Sequence, residues 1–523
     1  MVLKRIALGM LAGVALGATA KAADIDHVLL ISVDGLHALD VSRYVESHPN
    51  SALAELSRHG VTFSNARTPA NSDSFPGLLA LVTGGSPISH GLFYDVSYDR
   101  TFFDPTNVTC KGAPGNMMVF DESIDQYNGN VSLNVIDPTK LPRRRNEAGQ
   151  CVPVFPHNAI RTNTIFEVVK GKGGRTAWAD KHPAYDLVNG PSGRGVDDLY
   201  TPELTNVNGL DATVSVDCTV ANDQLKVTAI INEINGLKHD GTPAGATPAV
   251  FGMNFQAVSV GQKLAKDNGN GTCPQSAHTG MPGGYIDGAG TPTDVLAFGL
   301  QKTDEALGRM IQALKQRGIY DSTLFIVSAK HGQSPINPAK VNKPGHFADL
   351  VAALPDAATN PGAQAIVSAG NCSTGSCGFV QDDDIGLIWL QDQSQTKAAI
   401  DYLNTNAKAL FIDEVLGGDE LNLKFNDPTR DSRTPDILVQ PIYGTIYTGS
   451  KAKNAEHGGM SFGDTNVGLI VSNPRFPGVT VKTPVITSQV APTILQALDI
   501  EPEALNSVRV EHTTVLPGLW DNR

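Results

Sequence analysis

Residues 71–84 read NSDSFPGLLALVTG. Earlier in the chain, residues 27–33 read HVLLISV, an apolar strand that ends at Asp34. The later stretch predicts a helix over 75–82 with the hydroxyl of Ser74 at its start. Such a hydroxyl can attack phosphorus when a nearby cation lowers its pKa, and a carboxylate at the carboxyl end of a strand is a natural ligand for that cation. Ser74 and Asp34 therefore predict a phosphoryl-type hydrolase, the simpler alternatives being a helix cap and a turn cap.

Strand-like and helix-like segments alternate along the chain, as a doubly wound sheet requires. The predicted strands cover 27–33, 176–179, 322–328 and 467–471, and the predicted helices cover 51–58, 75–82, 163–170, 294–317 and 488–498. This order predicts an α/β fold with a mostly parallel central sheet and helices on both faces. Open sheets of this kind place their sites at the carboxyl ends of the strands, where Lys330 and His331 follow one predicted strand.

The composition predicts one large domain over 23–523 with loop insertions near 100–160 and 183–292, which are rich in Gly, Pro, Asn and Asp. A hydrophobic content of 41% allows a large core. The net charge of −13 argues against a nucleic-acid polymer or an anionic membrane as the main partner. The oligomeric state stays open.

The first residues predict a secretory signal. Lys4 and Arg5 precede an apolar stretch over 6–18, and residues 18–22 offer small-x-small cleavage sites. We therefore expect a signal peptide over 1–22, no membrane anchor after cleavage, and a periplasmic or extracellular location.

The chain has six cysteines, and none has the paired spacing of a structural zinc site. An oxidising compartment favours disulfides instead. Of the fifteen connectivities that six cysteines allow, we predict sequential pairing because each bond then closes one local loop. The predicted pairs are Cys110 with Cys151, Cys218 with Cys273, and Cys372 with Cys377.

Several motifs resemble the alkaline phosphatase superfamily, and most closely its type I phosphodiesterase and nucleotide pyrophosphatase branch. They are Val33-Asp34-Gly35, Ser74-Phe75-Pro76, His331-Gly332, His457-Gly458-Gly459 and the segment APTIL at 491–495. The resemblance covers nearly the whole mature chain. It implies a two-metal site, commonly zinc, in which a Ser or Thr attacks phosphorus and a phosphoryl-enzyme is later hydrolysed. By position, Asp34, Ser74 and His331 would bind the second metal, and His457 would bind the first.

The chain departs from this pattern at the metal ligands. The branch has an Asp-His pair where this chain has Lys330-His331, so an anionic ligand has become a cation. The first metal's Asp-x-x-x-His stretch has its counterpart at 255–263, which predicts Val258 and Gln262 at the ligand positions. Neither is a good ligand. Asp287 is a weaker substitute, and the resemblance therefore implies one metal ion as an alternative to two.

A further departure lies 21 positions after Ser74, where the branch has an Asn that donates to a phosphoryl oxygen and this chain has Asp95. A carboxylate there repels phosphate unless a cation neutralises it. We therefore predict that Lys330 pairs with Asp95, replaces part of the metal charge and helps to bind the substrate. Lys330 is equally consistent with an ordinary salt bridge. After another predicted strand, Lys181 could hold an anion, although ordinary loop structure is the commoner interpretation.

The sequence thus predicts a hydrolase of small-molecule phosphate esters, a phosphodiesterase or nucleotide pyrophosphatase, with Ser74 as nucleophile and a divalent metal, zinc first, as cofactor. Two alternatives stay open. One is a metal-independent ester or sulfuric-ester hydrolase that uses Lys330 and the histidines in place of zinc. The other is a noncatalytic binding protein that kept the fold, in which His331 and His457 are merely buried and hydrogen-bonded.

Overall fold

A computed structural model describes residues 25–269, 271, 273, 276–372 and 376–520. The predicted signal peptide over 1–22 lies outside these residues. The chain builds a central eight-stranded sheet. Its strands, numbered in chain order, are β1 (His27–Val33), β2 (Gly60–Phe63), β3 (Thr176–Ala179), β4 (Asp198–Tyr200), β5 (Val250–Phe255), β6 (Thr323–Ser328), β7 (Ile470–Ser472) and β8 (Val479–Val481).

The order of strands across the sheet is β4-β3-β5-β1-β6-β7-β2-β8. Strand β7 runs antiparallel to both of its neighbours, and the other pairs are parallel. The four neighbouring strands β3, β5, β1 and β6 therefore all end at the same edge. This confirms the predicted α/β fold with a mostly parallel sheet.

Strand β1 shows why the sheet forms where the sequence predicts it. Every residue from Val28 to Val33 is buried, which is typical of a parallel strand covered on both faces. Outside the second sheet described below, the helices are Ala38–Ser47, Ala52–Arg58, Ser74–Thr83, Pro87–His90, Pro156–Ala159, Ile165–Gly171, Val216–Ile234, Ala257–Lys263, Asp294–Arg317, Phe462–Thr465, Val490–Ala497 and Asn506–Glu511. The helix predicted over 294–317 and the strands predicted over 27–33 and 176–179 have the predicted bounds.

The strand predicted over 467–471 is wrong. Residues Asn466–Val467 pair with Ala66–Arg67 in a small three-stranded sheet, which Val485–Ile486 completes, while Ile470–Ser472 joins the central sheet as β7. The chain divides at Gly468, whose amide donates a hydrogen bond to the carbonyl of Leu36 instead of to a neighbouring strand.

A second sheet lies between β6 and β7 in the chain, where no element was predicted. Its order is Gly378–Asp382, Gly386–Leu390, Ile437–Pro441 and Ile412–Gly417, all antiparallel. The helices Phe347–Ala352, Pro361–Gly370 and Thr396–Thr405 pack on it around a separate apolar cluster. A single domain over 23–523 stays a prediction.

The region predicted as an insertion near 100–160 contains short two-stranded ribbons. They pair Val96–Asp99 with Asn116–Val119, Asp125–Asn128 with Val131–Ile136, and Arg143–Arg145 with Cys151–Pro153. The three predicted disulfides are confirmed, between Cys110 and Cys151, Cys218 and Cys273, and Cys372 and Cys377. Three disulfides are typical of an exported protein. Among the described helices, none combines the length and apolar character needed to cross a membrane.

Candidate active site

Polar side chains follow the carboxyl ends of four neighbouring parallel strands. Because these ends meet at one edge of the sheet, residues far apart in sequence converge there. Asp34 follows β1, Gln256 follows β5, and Lys181 lies just beyond β3. Lys330 and His331 follow β6. Three of these five residues, Asp34, Lys330 and His331, are sequence-predicted site residues, and all three lie together.

Ser74 reaches this edge from the helix Ser74–Thr83. The side chain of Asp73 caps the helix by accepting a hydrogen bond from the amide of Phe75 at 3.2 Å. Gly77, on the first turn, lies so close to β6 that a Cβ there would come within 1.8 Å of the carbonyl oxygen of Lys330. The missing side chain therefore lets the start of the helix rest on the strand end, and this contact brings Ser74 beside His331.

The Ser74 hydroxyl oxygen lies 3.3 Å from Nε2 of His331. On the other side of the imidazole, Nδ1 lies 2.8 Å from the carbonyl oxygen of Gly332. A carbonyl only accepts, so Nδ1 carries the proton. Burial, with the neighbouring His457, holds the pKa of His331 well below 6.5, so the ring is neutral. Its unprotonated Nε2 therefore faces the Ser74 hydroxyl and can accept its proton.

The ammonium group of Lys181 lies on the other side of Ser74. It donates to Oδ2 of Asp34 and to Oε1 of Gln256, both at 3.0 Å, and lies 3.5 Å from the Ser74 hydroxyl oxygen. Burial opposes ionisation of Asp34, but the charges of Lys330, Lys181 and His331 outweigh it and hold the pKa of Asp34 below its usual range. Asp34 is therefore an anion that holds a lysine.

Lys330 is fully buried and pairs with Asp180, not with Asp95. Its ammonium donates to both carboxylate oxygens of Asp180 at 3.0 Å and lies 3.9 Å from the centre of the Tyr185 ring. Burial lowers the pKa of Lys330 to about 8, although Asp180 opposes the shift. The predicted charge pair between Lys330 and Asp95 is therefore wrong, because a buried ammonium pairs with the carboxylate at the end of a nearby strand.

His457 completes the site from the opposite side. Its ring centre lies 3.8 Å from that of His331, and its Nδ1 lies 3.3 Å from a carboxylate oxygen of Asp73. Burial and the charge of Lys263 hold the pKa of His457 well below 6.5. Both histidines are thus neutral rings.

The stretch proposed for the first metal is shifted by two residues from the predicted register. Gln256 and Val260 line the pocket, whereas Val258 is buried away from it and Gln262 donates to the carbonyl of Gly35 at 2.8 Å. The placement of Val258 and Gln262 at the ligand positions is therefore wrong. Strand β5 ends at Phe255, so Gln256 is the first side chain beyond it.

Asp287, the weaker substitute ligand, lies elsewhere. It is exposed, and its carboxylate accepts hydrogen bonds from the amides of Ala289 and Thr291 and from the Thr291 hydroxyl. Asp287 therefore shapes a surface turn.

A cavity of about 440 Å³ leads to Ser74. Carboxylates are numerous among its lining side chains, which include Asp95, Asp121, Glu122, Asp211, Asp383 and Glu456. Glu456 is paired with Lys263 at 2.8 Å and Lys453 at 2.6 Å. Burial and the nearby charges of Asp73 and Asp121 raise the pKa of Asp95 to about 8. Asp95 is therefore protonated at neutral pH.

These residues do not fit a two-metal site. Asp34 already binds the ammonium of Lys181, and the charges of Lys181 and Lys330 oppose a divalent cation in the same space. At the positions where the first metal's acid and histidine would stand, the pocket is lined by the amide of Gln256, which accepts from Lys181, and by the apolar side chain of Val260. Across the part of the chain that the structure describes, no three His, Cys, Asp or Glu side chains form a group that could hold a metal ion.

Sequence patterns indicated Lys181 only as a candidate anion-binding residue and did not single out Asp180 or Tyr185. The available signal was position, because Asp180 and Lys181 follow a predicted strand, as Asp34 and His331 do. The neighbourhood of these strands in the sheet could not be seen from the sequence.

The chain is similar to known proteins in both sequence pattern and fold. The family model described as type I phosphodiesterase / nucleotide pyrophosphatase matches residues 28–127 and 290–461. No curated protein sequence matches. Among solved structures, an inactive variant of murine ectonucleotide pyrophosphatase / phosphodiesterase 5 in complex with AMP is similar with 13% identity and a TM-score of 0.51. The match covers 91% of this chain and 96% of that chain.

Wild-type alkaline phosphatase PafA is similar with 12% identity, a TM-score of 0.54 and the same coverage of 91% and 96%. A mutant of PafA has a TM-score of 0.56 and 13% identity. At these identities the structures show a shared alkaline phosphatase-like fold. The family match spans more than half of the chain, and the chain therefore belongs to the type I phosphodiesterase / nucleotide pyrophosphatase family.

Proposed function

We propose that this protein hydrolyses phosphate esters, with Ser74 as the nucleophile. The observation that carries the proposal is the position of the Ser74 hydroxyl oxygen, 3.3 Å from Nε2 of His331 and 3.5 Å from the ammonium of Lys181. A neutral imidazole on one side can take the proton, and a cation on the other can stabilise the resulting alkoxide. Family membership supports the same reaction class.

The reaction has two steps. Ser74 Oγ attacks phosphorus, Nε2 of His331 takes the hydroxyl proton, and the bond from phosphorus to the leaving oxygen breaks. In the second step, water attacks the phosphoserine and the bond from phosphorus to Oγ breaks. Oγ then recovers its proton from His331, one hydrogen of the water stays on the phosphate product, and the other passes through solvent to the leaving-group anion released in the first step.

Asp95 is proposed to bind the substrate as a hydrogen-bond donor. Its carboxyl group carries a proton at neutral pH because its pKa is raised to about 8. A protonated carboxyl can donate to a phosphoryl oxygen, as the amide of an Asn does at this position in the branch that the chain resembles. Asp95 therefore need not repel the substrate.

The pocket favours a phosphodiester over a phosphomonoester. Asp121 and Glu122 line the approach to Ser74, and a diester carries one negative charge where a monoester carries about two. A nucleotide ester is the natural first probe, because one structural neighbour holds AMP. The divalent metal, zinc first, that the sequence predicts has no step in this mechanism, since the donor set does not fit it.

The test uses the mature protein, Ser74→Ala and the control Ser47→Ala, which changes an exposed serine on another helix. Each is assayed on bis(4-nitrophenyl) phosphate, 4-nitrophenyl phosphate, the 4-nitrophenyl ester of thymidine 5′-phosphate and 4-nitrophenyl sulfate. We expect Ser74→Ala to lose about 10⁴-fold or more of the turnover, as loss of a nucleophile does. Acid-quenched wild-type protein should carry phosphate on Ser74 by mass spectrometry.

Three results would contradict the proposal. Unchanged turnover in Ser74→Ala would reject the nucleophile. Faster turnover of the sulfate than of any phosphate would favour the sulfuric-ester alternative. Tight binding of AMP without turnover of any ester would favour a noncatalytic binding protein.

A further inference from the structure

The Lys181 ammonium has three N–H donors and three acceptors around it. Asp34 and Gln256 accept at 3.0 Å, and Ser74 Oγ is the third at 3.5 Å. The lysine side chain is 11% exposed, whereas that of Asp34 is fully buried. Asp34 and Gln256 thus hold the ammonium group at the bottom of the pocket, within reach of the Ser74 hydroxyl.

The Ser74 hydroxyl lies between this donor and an acceptor. Its oxygen can accept from Lys181 while its proton is donated to Nε2 of His331. Both contacts withdraw the proton from oxygen, because the ammonium stabilises the alkoxide and the imidazole takes the proton. A bound divalent cation activates a hydroxyl nucleophile by the first of these effects.

Lys330 supports Lys181 indirectly. It holds Asp180 through both carboxylate oxygens, and Asp180 Oδ1 accepts the backbone amide of Lys181 at 2.9 Å. Trp178 donates to the other oxygen of the same carboxylate at 3.0 Å. Lys330 is therefore a positioning residue that fixes the strand end from which Lys181 extends.

We propose that Lys181 is a catalytic residue that replaces the divalent metal in this chain, so that the Ser74 reaction runs without a bound metal. This inference rests on the proposed function. The ammonium stabilises the Ser74 alkoxide and then donates to an oxygen of the phosphoryl group as negative charge develops there. Asp34 keeps the ammonium in place instead of ligating an ion, and Gln256 is a neutral acceptor where an acid would bind a metal.

The first experiment uses the full-length mature protein, purified without added metal and treated with EDTA and then 1,10-phenanthroline. Metal content is measured by mass spectrometry, and turnover is measured on bis(4-nitrophenyl) phosphate before and after treatment. We expect no stoichiometric zinc or other divalent metal and unchanged turnover. Loss of turnover on chelation, with recovery on adding zinc, would overturn the proposal while leaving the proposed hydrolase function intact.

The second experiment compares Lys181→Met with the control Lys302→Met, a lysine outside the pocket that pairs with Glu305. Lys181→Met should lose about 10²- to 10³-fold in turnover, as loss of one stabilising donor does. Calorimetric titration with orthovanadate should show affinity weakened about 10- to 100-fold, the worth of a charged hydrogen bond. Lys302→Met should match the wild type in both. Wild-type turnover in Lys181→Met would overturn the proposal.

The outcomes separate the two claims. Metal-dependent turnover rejects this inference alone, whereas no turnover of any ester rejects the proposed function and this inference with it. If Lys181→Met fails to fold, the chelation experiment on the unaltered protein still decides.

Discussion

The two sides of the site, around Asp34 and around His457, differ in the side chains they contain. On the Asp34 side, a carboxylate, a hydroxyl and His331 lie together, with Lys181 bonded among them. On the His457 side, Val260 lines the pocket, Gln256 already accepts a hydrogen bond from Lys181, and Glu456, the neighbour of His457 in sequence, is neutralised by two lysines. The groups that can activate a serine thus lie beside Ser74, and Gln256 and Val260 occupy the positions where the Asp-x-x-x-His pair would place an acid and a histidine. This difference is the basis of our proposal that an ammonium activates the nucleophile.

Replacing each of the two histidines in turn is the strongest test of the difference between the two sides. His331→Ala should lower kcat/KM by about 10²- to 10⁴-fold, because it removes the proton acceptor of Ser74. His457→Ala should cost less than about 10-fold, because the proton acceptor of Ser74 is His331 and stays in place. Steady-state assays on an aryl phosphodiester check both. Equal losses would mean that the two sides act as one unit, as a two-metal site does.

The buried pair of Lys330 and Asp180 should matter most for stability. Lys330→Met leaves the carboxylate of Asp180 buried and unpaired, which costs about 3–5 kcal/mol of the free energy of unfolding. Adding Asp180→Asn should recover most of that loss, because the amide is neutral and still accepts from Trp178. Urea denaturation measures both variants. The control is Lys315→Met, which removes a lysine from an exposed pair with Glu55 and should stay within about 1 kcal/mol of the wild type. A similar cost in Lys330→Met and Lys315→Met would contradict the buried pair of Lys330 and Asp180.

The His457 side can be tested by introducing side chains that bind a metal. The double variant Gln256→Asp with Val260→His offers an acid and a histidine, in the Asp-x-x-x-His spacing, in the pocket that His457 also lines. We expect it to bind zinc, and zinc at about 100 times its Kd should add about 2.7 kcal/mol to the free energy of unfolding. Gln256→Asp alone serves as the control and should bind zinc more weakly. Thermal denaturation with and without zinc measures the effect, and a variant indifferent to zinc would show that these residues do not face one space.

The smallest effect concerns Asp95. Its pKa is raised to about 8, so the protonated donor form prevails below that pH and is lost as the pH rises through it. Wild-type turnover should therefore fall above about pH 8, by about 10-fold for one lost hydrogen bond. Asp95→Asn keeps a donor at every pH and should show a smaller fall, the remainder coming from Lys330, whose pKa is also about 8. The pH profile of kcat/KM distinguishes the two, and identical profiles would remove Asp95 from the substrate contacts.

The structure brings together Asp34, Ser74 and His331, which the sequence had singled out, and the reason that they could be found is physical. Strand β1 is a continuous apolar run, so its end at Asp34 is visible, and Ser74 starts an apolar helix. The partner of Lys330 was not visible, because Asp180 lies 150 positions away and meets it only through the order of strands. The register at Gln256 was missed because nothing local marks where β5 ends. The second sheet was missed because its strands lie in a region where no periodic pattern was identified.

The most direct test of the account is a crystal structure of the protein with orthovanadate, with anomalous diffraction recorded at the zinc edge. We expect vanadium bonded to Oγ of Ser74, an equatorial oxygen within hydrogen-bond distance of the Lys181 ammonium, and no anomalous peak beside Asp34 or His457. A metal peak between Asp34 and His331, with Lys181 displaced from the carboxylate, would contradict it.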